Sequence, residues 1–480
     1  MTRTFIQQTD HHRKSGFGNV LRSSGIFYYR RDENFRTTLT FMNYWKAKRD
    51  LDVTVLASLR DMKGRLISRE GLPFDQGHVW NYAPETPTPS FEGSVEIEVF
   101  ALQNMVIPFA AIIAVYESDL AVSLTHNYAR SYSTHEIEEG RTVTDGEESC
   151  WTLRDGQGTR SFAIFHNGID PQPAQTATFT VTRADGERRS VDVELSDLPS
   201  YASYKFVPAD HFPDLDDYLG GQSGNGSLSY KLNKAFTRML IGNERAVTGD
   251  MQVSHSNFNY SRHKTDEVDR PGAAAFMMMP DGGIHNRRVR VYPDADIGNY
   301  KMQNADGAEV EFANTEFVEL SAPSGEISFR KQAGGLPTRL VTAIVGEPGN
   351  DLLPFELSLG VLNEMRPPKR MWWAPTACDD KRDGTIIATC YETLYGPYEG
   401  QPVNIRLYSQ DTLEVIEVNL DADQVRHANE GFMLRDILPD AAAHLAGGLG
   451  WFTWFSDYGG FQVFTKLAKS GGNYTMEHGF

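Results

Sequence analysis

Apolar and polar residues alternate along most of this chain with a period of two, the pattern of half-buried β-strands. GSVEIEVF (93–100), GSLSYKLN (226–233) and GEISFRKQ (325–332) each place a glycine before such a run. The first two are followed by a more apolar stretch, IPFAAIIAVYE and FTRMLIGNE, and GLGWFTWFSDYGG holds the equivalent place near the C-terminus. Hairpins with recognisable turns lie between, among them FTVTRADGERRSVDVEL and VNIRLYSQDTLEVIEVNL. A 3.6-residue period is nearly absent. LPDAAAHLAG (438–447) predicts one short helix, and DHFPDLDDYLGG (210–221) predicts a turn.

The pattern repeats. RDENFRTTLTFMN (31–43), RDGQGTRSFAIFHN (154–167) and KRDGTIIATCYET (381–393) share an Arg-Asp pair, a polar turn and an alternating run, and VDRPGAAAFMMMPDG is a weaker relative. The markers Asp32, Asp155, Asp269 and Asp383 are 123, 114 and 114 residues apart. Repeats of this length, with about seven strands each, predict an all-β chain of tandem immunoglobulin-like antiparallel β-sandwich domains. The expected boundaries are 1–145, 146–264, 265–370 (the most divergent unit) and 371–480, which is rich in aromatics. Polar or proline-bearing linkers at 134–149, 262–272 and 363–370 separate them and are short enough to let neighbours pack.

The net charge of −18 argues against nucleic acid or an anionic membrane surface as partner. The longest apolar run, MVIPFAAIIAVY at 105–116, is too short for a membrane helix and predicts buried strands. Three cysteines without a CxxC pair, and an N-terminus without an apolar leader, fit a cytoplasmic protein.

No complete catalytic constellation stands in the sequence. SHSNFNYSRH (254–263) carries two histidines, but in an extended segment His255 and His263 lie about 26 Å apart, too far to share an ion. Aligning Asn127-Tyr128, Asn257-Phe258 and Asn473-Tyr474 shows the asparagine and ring recurring while the histidine does not, which assigns this stretch a structural role. His166, at the end of FAIFHN, reads as a strand-terminus feature, and Cys378 beside two aspartates as a poor nucleophile. In GLGWFTWFSDYGG one strand face must leave the core, so Trp451 and Trp454, with Trp372 and Trp373, form a candidate ligand platform.

The sequence favours a non-catalytic binding or scaffolding protein over an enzyme, with a protein partner, a small-molecule or sugar ligand, and a possible homo-oligomer. It predicts no cofactor, no metal and no membrane insertion. The alternative is an enzyme with a site at an inter-domain cleft, for which His126, His255, His263, Asp266 and Asp269 are the candidate acid/base or ligating residues. A further alternative is carbohydrate binding by the fourth unit's aromatics.

Overall fold

The computed structural model describes residues 20–73, 77–105, 111–133, 136, 145–156, 158–245, 247, 250–258, 274–292, 299–313, 317–332, 341–348, 352–361 and 368–480. The chain is nearly all β. The described strands form eight antiparallel sheets, and one strand order recurs four times. In the first unit the eight strands are Arg22–Arg31, Phe35–Met42, Thr54–Asp61, Leu66–Leu72, Val79–Tyr82, Phe91–Phe100, Ile112–Ser118 and Val122–His126. One sheet runs first-sixth-third-fourth and the other fifth-second-seventh-eighth. The strand sets within 145–255, 274–360 and 371–478 repeat both orders, and Asn257–Phe258 adds a fifth strand to one sheet of the second set. Eight strands stand where alternation predicts about seven. The extra one is the fifth, only two to four residues long (Val79–Tyr82, Ser203–Phe206, Val318–Ser321, Phe432–Met433), too short to show a period. Helices are equally brief: Ala441–Leu445 and Leu215–Leu219 form in the two expected segments, and Tyr44–Arg49 follows an Asn43 cap. None of the described helices is long and apolar enough to cross a membrane.

Alternation places one side of each strand between the two sheets of its set. In the second unit Trp151 of one sheet meets Phe206 of the other, ring centroids 5.8 Å apart, and Phe206 also packs on Phe179. The units are not separate beads. The first unit's core continues into Phe162, Ile164 and Met251 of the second and Trp373, Leu449 and Trp451 of the fourth. The third unit's core is completed by Ile387, Phe464 and Met476 of the fourth.

The eighth strands close this arrangement. Val122–His126 touches Asp250–His255 and Tyr474–His478, and Phe355–Gly360 touches the same two, so the four strands make a ring. One polar hub ties all four units at the ring's first end. Asn473 Oδ1 accepts from Val122 N (2.6 Å), Asn473 Nδ2 donates to Asp250 Oδ1 (3.1 Å), and Asp250 Oδ2 accepts from Leu353 N. Charge and polar demand here are met by units far apart in sequence, a cross-link that fixes their relative placement. The expected linkers at 134–149, 262–272 and 363–370 lie largely outside the described residues.

Candidate functional site

At the ring's other end three of the four eighth strands finish on histidine: His126, His255 and His478. In the third unit Gly360 takes the place. Each strand stops there because the next residues bond elsewhere. Asn127 Oδ1 accepts from Ile112 N (2.9 Å), Ser256 N donates to Met239 O (2.9 Å), and Gly479 N donates to Val463 O (2.7 Å). This corrects the alignment drawn from the asparagine-aromatic pairs. Asn473-Tyr474 opens the last strand, whereas Asn127-Tyr128 and Asn257-Phe258 follow theirs, so that register hid a histidine that recurs in three units.

The three imidazoles converge. The His126 ring centroid lies 4.5 Å from that of His255, 5.0 Å from His478 and 5.4 Å from the Phe480 ring, with the planes steeply inclined. Glu477 stands among them. Its Oε2 is 3.2 Å from His126 Nδ1, and its Oε1 is 3.7 Å from His478 Nε2 and accepts from His478 N at 2.9 Å. Glu477 is almost wholly buried, and burial alone would raise its carboxyl pKa; the two neighbouring imidazoles outweigh this and hold it below the ordinary value. His255 Nδ1 is 2.8 Å from Ser256 O, and His478 Nδ1 is 3.0 Å from Gly479 O. A carbonyl only accepts, so both Nδ1 atoms carry protons and Nε2 holds the lone pair of the neutral ring.

His478, Gly479 and Phe480 also form part of the wall of a cavity of about 770 Å³, shared by the first, third and fourth units. Trp372, Tyr391, Tyr395 and Phe461 line it, with Lys48, Lys369 and Arg370, and no Asp or Glu side chain lies among the described lining residues. The Lys369 amine sits 3.5 Å above the Trp372 ring. Burial, with the like charge of Lys48, pushes its pKa down to about 7. A second cavity of about 800 Å³, near Arg30, Asp32 and Glu244, differs in that its lining carries charges of both signs, with Arg30 bridging to Asp32 (3.0 Å) and Glu244 (3.5 Å).

The sequence-derived candidates therefore divide. His126 and His255, 129 positions apart, meet at the ring; His263, Asp266 and Asp269 lie outside the described residues. Glu477 and His478 escaped sequence reasoning because nothing near them in the chain signals a cluster. Of the four tryptophans, Trp372 lines the aromatic cavity. Trp373 is held between Tyr44, whose ring centroid is 5.3 Å away, and the Lys48 ammonium. Trp451 and Trp454 are completely buried, so neither ring has a face for a sugar. The outward face of their strand meets the first unit, where Trp451 Nε1 donates to Thr40 Oγ1 (3.0 Å); only Phe455 is left substantially exposed. His166 is also buried, between Tyr128 Oη and Ser203 Oγ at 2.7 Å each, and its pKa falls to about 3 through loss of solvent. Burial, reinforced by Glu392, pushes the Cys390 thiol up to about 12, and burial also raises Cys378, which suits neither to nucleophilic work.

The chain matches no protein-family model and no curated protein.

Proposed function

We propose that this is a binding protein whose ligand is a small, flat organic anion such as an aromatic carboxylate, held in the cavity between the first, third and fourth units. One observation carries the reading. In a chain of net charge −18, this cavity gathers Lys48, Lys369 and Arg370 with aromatic rings and no described Asp or Glu side chain. Rings bury the flat apolar body of such a ligand, and an ammonium at low polarity holds its charge. The repeated sheet pairs serve as the rigid scaffold. They are immunoglobulin-like in the sense of two packed antiparallel sheets, although the first strand pairs with the sixth where an immunoglobulin domain pairs its first with its second.

Equilibrium dialysis against a panel of aromatic carboxylates, their neutral amides and uncharged oligosaccharides tests this. Saturable uptake of carboxylates alone, lost in Trp372→Ala and weakened in Lys369→Met, supports the reading. Uptake of the amides with equal affinity, preference for the sugars, or no uptake would reject it.

A further inference from the structure

The histidine cluster calls for its own account, because the pocket uses only one of its members. We infer that His126, Glu477 and His478 form a binding site for one divalent first-row transition ion, with Zn²⁺ the best fit. Each residue offers a ligand atom, and these atoms all lie within 4.8 Å of one another. Ligand atoms around a tetrahedral ion at 2.0–2.1 Å stand about 3.4 Å apart. Glu477 Oε2 stands 3.2 Å from His126 Nδ1, and its other oxygen, Oε1, stands 3.7 Å from His478 Nε2, each close to that value. No pair in the set is more than 4.8 Å apart, so reaching that spacing takes a shift of at most about 1.4 Å, within the reach of χ rotation. The set, two imidazoles and one carboxylate, suits Zn²⁺ and its neighbours and is poor for Ca²⁺ or Mg²⁺, which take all-oxygen shells.

The surroundings follow the same logic. A ligating imidazole ordinarily donates its other N–H to a carbonyl or carboxylate, which fixes tautomer and ring plane. His478 does so, Nδ1 to Gly479 O, presenting Nε2 toward Glu477. The His126 ring is held edge-on by those of His255 and Phe480. His126 and His478 retain 16% and 19% side-chain exposure, enough for an ion to enter, whereas Glu477 at 3% gives the anion low-dielectric surroundings. Glu477 and His478 belong to the fourth unit and His126 to the first, so the ion would pin the closure of the ring. Imidazole must be unprotonated to bind, so affinity weakens as pH falls.

The experiment uses the full chain, freed of metal by dialysis against a chelator. Zn²⁺ is titrated calorimetrically at pH 7.5 and Co²⁺ by visible absorption. The expected result is saturation at one equivalent, a Co²⁺ ligand-field band of low coordination number, and a higher melting temperature with metal. His478→Gln and Glu477→Gln should each lower affinity at least ~10-fold, while His427→Gln, at an exposed histidine elsewhere, should not. Absence of stoichiometric binding by the wild type, or unchanged binding in His478→Gln, would overturn the assignment. Should a variant fail to fold, the wild-type titration alone decides, since an octahedral all-oxygen Co²⁺ spectrum also overturns it.

Discussion

Asn473→Ala strikes a residue that bonds directly to two other units at the hub. Asn473 is completely buried, and truncation removes the acceptor of Val122 N and a donor to Asp250 Oδ1, leaving its own backbone bond to Leu120 O intact. A buried group deprived of its partner costs about 1–3 kcal/mol, and a charged one more, so the pair amounts to about 4 kcal/mol at neutral pH. The loss should depend on pH. Burial raises the Asp250 carboxyl from 3.8 to about 6, against the opposing pull of the Leu353 N–H and Arg245. A carboxyl whose folded pKa exceeds its unfolded one disfavours the fold when ionised, and this penalty fades as pH drops from about 6 toward 4. In the wild type it amounts to about 3 kcal/mol at full ionisation. Removing a donor to the ionised form lifts the pKa further, so the mutant's deficit should be larger at pH 7.5 than at pH 5. Urea unfolding followed by tryptophan fluorescence at both pH values measures this. A deficit under about 1 kcal/mol at pH 7.5, or the same deficit at both, refutes the hub as a stabilising cross-link.

Three further outcomes can be checked. Lys369→Met should stabilise the fold at pH 7, because a lysine depressed to about 7 leaves the unfolded chain binding a proton that the fold excludes throughout the window from about 7 to 10.5; the gain should vanish above that window, and a urea series across pH reads it. Trp451→Phe should cost about 1–2 kcal/mol by stranding the Thr40 hydroxyl, and Thr40→Val in the same chain should recover part of it, a double-mutant cycle by thermal unfolding. Gly77→Ala would press its new Cβ against the Gln410 carbonyl, beside the seam where His78 N and Val79 N donate to Ser409 O at 3.1 and 3.2 Å. Hydrogen exchange should quicken at those two amides while the second unit's amides keep their protection.

The strands and their fourfold recurrence are written in alternation and in the Arg-Asp markers, because both are local. The ring is not, since contacts between Val122–His126 and Tyr474–His478 join residues some 350 positions apart and leave no periodic trace. The same locality explains Trp451. Period two says that its strand has a second covered or exposed face, and cannot say whether solvent, ligand or the first unit covers it. The histidines show a third limit. His126, His255 and His478 close strands of five or six residues, and a marker placed beside the strand, such as Asn473, shifts the comparison before any recurrence can be seen. Comparing strand ends, with histidine last in VSLTH, VSH and MEH, is the signal that would have found them.

Gly360 gives the ring's near-symmetry a particular meaning. Four equivalent positions filled by four imidazoles would make a collar with no preferred direction. The third unit breaks that pattern with a residue that has no side chain, and Gly360 itself lines the aromatic cavity beside His478. The open side of the collar thus faces the cavity, so repeated modules acquire a single, oriented recess through what one copy omits. Gly360→His would test whether restoring the symmetry closes that recess.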